Sequence, residues 1–327
     1  MFPTALGIDI SKNRIDVALY RDKRYQTASF ENSKDGIRRL FKWLKKHKAQ
    51  QCHAAMEATG RYGELLAESL YERGHPVSVV NPANIKRYAQ AQLKRNKTDL
   101  QDARLIAHYC ATQEPYLWQP PADHIREFQE MVRRLDDLKD SRVRELNRLQ
   151  SGLRSPAVIA DVEANIAFLS DQIAALETLI GDHVDQHPDL KENVDLLSSI
   201  PSIAFITAIG ILAEVPDINR FNSASQMAAY AGLTPFHSHS GQQVTSNGKL
   251  CKIGNRRLRS LFFMPQKSAR HCNPIIRNLV ARLNLAGKQP KVIRGAIMRK
   301  LLCLAYGVLK SRTPFNPHYH LSLQVAS

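Results

Sequence analysis

ALGIDISKNRIDVALY, residues 5–20, decides the fold. The first six residues are apolar and β-branched around a single acid, Asp9. Ser11, Lys12, Asn13 and Arg14 make a polar turn, and residues 15–20 are apolar again. Two short apolar runs joined by a few polar residues predict paired strands. Residues 25–30 alternate partially and extend the pair into an antiparallel meander. Within residues 34–47, Ile37, Leu40, Phe41 and Leu44 step by 3, 1 and 3, the spacing of an amphipathic helix. Residues 52–58, CHAAMEA, predict a buried strand ending at Glu57. A helix over 62–73 closes at Gly74, and a strand over 76–80 is stopped by Asn81 and Pro82. Helices follow over 83–93 and 99–112. Three strands, then alternating helix and strand, predict a mixed α/β sheet.

Four acids stand out against that order. Asp9 interrupts an apolar strand. Glu57 sits at the carboxyl end of a strand, where open α/β sheets place their sites. Residues 94–104, KRNKTDLQDAR, add Asp99 and Asp102, three apart on a helical face, behind Lys94, Arg95 and Lys97. Those eleven residues also suit a plain helix start, with Thr98 or Asp99 as N-cap and acids in the first turn. Clustered carboxylates repel unless a cation neutralises them, and hard oxygen ligands suit Mg²⁺ or Mn²⁺. Acids that bind such a metal, beside bases that bind phosphate, fit a phosphodiester site.

Net charge is +16, and its distribution is uneven. After Asp217 the final 110 residues contain no Asp or Glu but 17 Lys and Arg. The first 217 residues hold the other 29 bases and all 30 acids. An acid-free stretch of that length fits a polyanion surface, because phosphate releases counterions to lysine and arginine. An anionic membrane surface fits less well, since the bases are spread over several helices rather than one amphipathic face. No apolar run approaches a membrane span, and residues 1–11 lack a signal pattern, so a cytoplasmic, nucleoid-associated protein is expected. The five cysteines are scattered without a Cys-x-x-Cys, and read as buried small hydrophobes.

The rest of the chain is helical in pattern. Ile125, Phe128, Val132 and Leu135 form a seam that meets Lys139 and Arg142 before Leu146 and Leu149. After a break at 151–157, Val162, Ile166, Leu169, Ile173, Leu176 and Ile180 step by 4, 3, 4, 3 and 4. An antiparallel helical hairpin is expected. His183 and His187, four apart, read as a solvated helix end rather than a metal pair. Residues 193–215 predict helix, turn, helix. In the basic final third, Lys249, Lys252, Arg256, Arg257, Arg259, Lys291, Arg294, Arg299 and Lys300 are expected on phosphate, with Lys94, Arg95 and Lys97.

GIDIS, EATG and KTDLQDA together resemble the Asp, Glu, Asp, Asp signature of the DEDD insertion-sequence transposases. VVNPANIKRYAQAQLKRNKTD, AAYAGLTP and KLLCLAYGVLKS extend the likeness from Leu6 to about Pro317. The resemblance implies an α/β RNase H-like (RuvC-like) domain over 1–121, a helical coiled-coil hairpin over 122–190, and a mostly α, basic C-terminal transposase domain over 191–327. It implies that Asp9, Glu57, Asp99 and Asp102 hold Mg²⁺ (or Mn²⁺) and that a serine before Gly241 attacks DNA phosphorus. Ser240 matches that serine, with Ser238 as the alternative register. Double-stranded donor and target DNA, a structured bridge RNA and a homo-oligomer, dimer or tetramer, are the implied partners in a bacterial or archaeal cell. At 193–215 the family's helix-hairpin-helix turn carries glycines where this chain has Ser202 and Ala204. Two other classes are carried beside this one: a Holliday-junction-resolvase-like Mg²⁺ nuclease, and a non-catalytic nucleic-acid-binding protein.

Overall fold

The computed structural model describes residues 4–58, 60–92, 99–235, 239–240, 243–244 and 250–318. The chain divides into two compact units, Met1–Pro120 and Pro121–Ser327.

The first unit is built on five strands: β1 (Ala5–Ile10), β2 (Arg14–Arg21), β3 (Arg24–Glu31), β4 (His53–Glu57) and β5 (Val77–Val80). They lie in the order β3-β2-β1-β4-β5. The first three form the antiparallel meander, and β4 and β5 add in parallel. Helix α1 (Lys34–Lys46) connects β3 to β4 and starts at Ser33, whose hydroxyl accepts from the Gly36 amide. Helix α2 (Glu64–Glu72) connects β4 to β5. The helix expected over 62–73 opens as a 3₁₀ turn, Gly60–Gly63, before becoming α-helical at Glu64. Asn81 caps α3 (Pro82–Ala91), with Pro82 pre-set for the first helical position. Helix α4 (Asp99–Gln113) ends the unit.

Alternation gives the sheet two unlike faces. On one, Leu6, Ile8, Ile10, Ile15, Val17, Leu19, Ala54 and Met56 bury against Ile37, Leu40 and Leu44 of α1 and Leu66, Ala67 and Leu70 of α2. The other face carries Ala5, Gly7 and Asp9 of β1, Asp16 and Ala18 of β2, and Ala55 and Glu57 of β4. Here small side chains admit α4 at very short range. A Cβ built on Gly7 would lie 2.1 Å from the Ala107 amide nitrogen and 2.2 Å from the Ala103 carbonyl oxygen. Bulk is excluded over Gly7 for that reason, and Ala18, Ala103 and Ala107 pack together there beside Tyr20 and Tyr25.

The second unit begins with α5 (Asp123–Gln150) and α6 (Pro156–Gln186). They run antiparallel: Lys139 pairs with Glu177 at 2.8 Å, and Arg142 reaches Ser170 at 3.5 Å. Phe128, Val132, Leu135 and Leu138 bury with Leu169, Ile173, Ile180 and Val184 in the core of this unit. The seam does not resume as expected at Leu146, which is exposed. His183 is also not solvated: it is 7% exposed, and its Nε2–H donates to the His124 carbonyl, 2.8 Å away. The His187 ring stacks between His124 and His183, with centroids 4.5 and 4.3 Å away.

Helices α7 (Pro188–Ser198), α8 (Phe205–Glu214) and α9 (Ala224–Tyr230) follow. A short hairpin, β6 (His239–Ser240) and β7 (Gln243–Val244), precedes α10 (Arg256–Leu261), α11 (Pro265–Cys272), α12 (Pro274–Leu285) and α13 (Pro290–Ser311). Ile293, Ile297, Leu301, Leu302 and Ala305 bury one face of α13 in the shared core. Ser202, in the turn between α7 and α8, has φ +89°, a conformation that favours glycine. Cys52 and Cys110 are buried, and burial pushes each thiol up to about 12. Cys272 is exposed, unlike the uniform burial expected of the five. Among the described residues no helix is long and apolar enough to cross a membrane.

Candidate functional site

Register sets the geometry of the carboxylates. Ile8 of β1 pairs with Met56 of β4, so the next residues, Asp9 and Glu57, are neighbours at the carboxyl ends of adjacent parallel strands. Both lie on the α4 face, in the same alternating rows as Gly7 and Ala55. Helix α4 runs against β1. Its Ala103 and Ala107 cross over Gly7, and the Cys110 thiol donates to the His53 carbonyl, 3.5 Å away at the start of β4. The first turn of α4 therefore stands at the carboxyl ends of β1 and β4. From Ala103 back to Asp99 is four helical residues, about 6 Å, and from Gly7 to Asp9 is two strand residues, about 6.6 Å. The backbone thus carries all four acids to one end of one sheet face.

Asp9, Glu57 and Asp102 are each partly buried, and none is without a partner. Asp99 is the first residue of α4 and is described by its backbone. Among the described residues no three His, Cys, Asp or Glu side chains are gathered as a set that could hold a metal ion. The donor chemistry fits a hard divalent cation, since every candidate ligand here is a carboxylate oxygen.

Sequence reasoning missed a fifth acid. Asp16 of β2 pairs directly with Asp9. It is 3% exposed, and its carboxylate is held by Arg14 at 2.9 Å and by the Ser29 hydroxyl. An acid inside residues 15–20 was visible, but only strand pairing shows which neighbour it faces.

The remaining expected residues lie elsewhere. Lys94, Arg95, Lys97, Ser238 and Lys249 fall outside the described residues. Ser240 belongs to the second unit, at the end of β6 opposite Gln243 of β7. Lys252, Arg256, Arg257 and Lys291 are exposed, while Arg294, Arg299 and Lys300 are half-buried. Arg259 is turned inward: its Nη1 donates to the Ala231 carbonyl at 2.9 Å.

Residues 6–156 match a DEDD transposase family of the IS110 type, and residues 194–281 match the transposase IS116/IS110/IS902 family. The pilin gene-inverting protein of Moraxella bovis is 34% identical over 323 residues, covering 98% of this chain and all of the relative. The pilin gene-inverting protein of Moraxella lacunata matches to the same extent. The transposase for insertion sequence element IS1111A of Coxiella burnetii is 24% identical over 58% of each chain. With two successive family matches and relatives aligned from end to end, the chain belongs to the IS110 family of transposases.

Proposed function

We propose that this transposase cuts and rejoins DNA strands through a covalent phosphoserine intermediate. Asp9, Glu57, Asp99 and Asp102 would hold Mg²⁺, or Mn²⁺, and Ser240 would be the nucleophile. The observation that carries this reading is the placement of Asp9 and Glu57 on adjacent strand ends beneath the first turn of α4. A divalent cation there would neutralise the scissile phosphate and stabilise charge on the leaving oxygen.

The Ser240 Oγ would attack phosphorus, forming an Oγ–P bond and breaking one P–O bond of the strand. The serine proton leaves with the freed oxygen, which becomes a hydroxyl. Attack by a second strand's hydroxyl on the phosphoserine then restores a phosphodiester and returns the serine. One bond is exchanged for another of the same kind at each step, so no nucleotide cofactor is needed.

The domain division at 121 and 190, the coiled-coil character of the α5–α6 hairpin, a homo-oligomer and pairing of a bridge RNA with donor and target DNA belong to the same reading. The relatives in Moraxella, named as pilin gene-inverting proteins, favour inversion or transposition of DNA as the outcome. The basic, acid-free segment after Asp217 supports contact with nucleic acid backbones.

The test is a protein–DNA adduct stable to SDS, formed in Mg²⁺ on DNA from the flanks of the gene. Wild type forms it, and Ser240→Ala and Asp9→Asn do not. An adduct that persists in Ser240→Ala rejects this serine. Cleavage without any adduct rejects the covalent route.

A further inference from the structure

A transverse row crosses the sheet at the carboxyl end of β1: Ser29 pairs with Asp16, Asp16 with Asp9, and Glu57 lies beside Asp9. Arg14 stands on the same face of β2, two residues before Asp16. Its Nε donates to Asp16 Oδ1 at 3.0 Å, and Nη2 reaches the same oxygen at 2.9 Å and the Ser29 Oγ at 3.0 Å. The Ser29 hydroxyl also donates to Oδ1.

The surrounding turn is pinned. The Ser11 amide donates to the Arg14 carbonyl at 2.9 Å, and the Arg14 amide to the Ser11 hydroxyl at 3.2 Å. Asn32 Nδ2 ties the Ser11 and Tyr62 carbonyls together, each at 3.0 Å.

Two features of this pair need a reason. Asp16 is almost fully buried, and a well-packed apolar side chain in place of a buried ion pair is often as stable or more so. Fold stability alone does not call for it. The Arg14 side chain, by contrast, is 51% exposed, and its Nη1 makes no hydrogen bond among the described residues. The carboxylate and Ser29 engage Nε and Nη2, while the Nη1 donors stay available on a side chain that is half exposed. A planar cation held this way is suited to phosphate oxygens and is pre-organised for them. It also sits beside carboxylates that would repel a polyanion.

We propose that Arg14 contacts the phosphodiester backbone of the nucleic acid strand entering the carboxylate row, and that Asp16, with Ser29, is the positioning residue that aims it. This rests on the reading of the row as the strand-cleaving site. Neither residue ligates metal or takes part in bond exchange. Their action is on how the strand is held.

Strand cleavage by the full-length chain is measured against the concentration of a labelled duplex copied from the flanks of its gene. Arg14→Gln raises the half-saturating DNA concentration about tenfold, the size of one charge-assisted contact, and leaves the maximal rate within about threefold. Its log–log salt slope for binding falls by about one. Arg14→Lys keeps the slope. Asp16→Asn behaves like Arg14→Gln, and the double variant is no worse than Arg14→Gln alone, because the two act as one unit. A purely structural pair would not move the salt slope.

Asp9→Asn separates the two readings. If it abolishes cleavage while Arg14→Gln and Asp16→Asn bind and cleave as wild type, this inference is overturned and the acid site stands. If Asp9→Asn cleaves at full rate, the underlying site is wrong. Should Asp16→Asn lose its fold, the exposed Arg14→Gln decides alone, and an unchanged salt slope and half-saturation overturn the proposal.

Discussion

Gly7 and Ala103 are in backbone contact: a Cβ placed on Gly7 would lie 2.2 Å from the Ala103 carbonyl oxygen. That closeness sets the height of α4 above the sheet, and with it the position of the first helical turn over Asp9 and Glu57. Gly7→Ala must push the helix away, since the atoms it meets are main-chain. Overpacking of this kind costs about 1–3 kcal/mol, sometimes more. Chemical denaturation should show that loss, together with a fall in strand cleavage beyond what reduced folding explains. Full activity in a stably folded Gly7→Ala protein would show that helix height does not matter to the site.

Much of this geometry was legible before any coordinates. Ala5, Gly7 and Asp9 alternate with Leu6, Ile8 and Ile10, so the two sheet faces are written into β1 itself. Asp9 stands out because it interrupts an apolar strand, and Glu57 because it ends one. What alternation cannot supply is register. Asp16 looks like any polar residue in a short strand until it is seen opposite Asp9. His124 is likewise distant in sequence from His183 and His187, and only the antiparallel course of α5 and α6 stacks the three rings. The pattern of α5 also misled: Leu138, not the outer Leu146, continues the buried seam.

On the proposed reading the acids would repel one another as well as hold the cation. Asp9→Asn and Asp102→Asn each remove a negative charge from the same end of the sheet, so thermal stability without metal should hold or rise slightly, by up to about 1 kcal/mol. Strand cleavage should fall by at least about a thousandfold, as expected when charge stabilisation of the transition state is lost. Added Mg²⁺ should raise the melting temperature of wild type more than that of either variant, because a cation bound only to the folded state stabilises it by mass action. Equal metal-induced shifts in all three proteins would place the cation elsewhere.

Two buried histidines should make the first unit sensitive to acid. Burial lowers the pKa of His53 below 6.5, with Glu114 pulling the other way, and burial also lowers that of His75. Ser78 Oγ lies within hydrogen-bonding reach of the Pro115 and Tyr116 carbonyls at 3.0 and 2.8 Å. With its proton on one of them, it accepts from His53 Nε2 at 2.8 Å, which fixes the neutral ring's tautomer. The folded ring resists protonation, whereas the unfolded chain takes up its proton near the ordinary value of 6.5. Stability is therefore full above that pH and falls as pH drops toward the depressed folded value, below which the loss stops growing. His53→Gln should narrow the difference in melting temperature between pH 7 and pH 5. An unchanged difference would assign the acid sensitivity to other groups.

Arg256 and Arg259 are one helical turn apart in α10 but face different tasks. Arg256 is exposed in an acid-free segment. Arg259 packs into the bend before α10, where its Nη1 holds the Ala231 carbonyl at 2.9 Å and a Cβ on Gly232 would come within 2.7 Å of it. Gly232 has φ +68°, so the bend depends on both the glycine and the guanidinium that fills the space beside it. Arg256→Ala should weaken binding to any duplex alike and lower the log–log salt slope by about one, with melting unchanged. Arg259→Ala strips a partner from a partly buried carbonyl and should cost about 1–3 kcal/mol of stability. Its salt slope should stay near wild type once folded protein is normalised. If Arg259→Ala instead lowers the slope without loss of stability, this residue serves phosphate after all, and its hold on Ala231 is incidental.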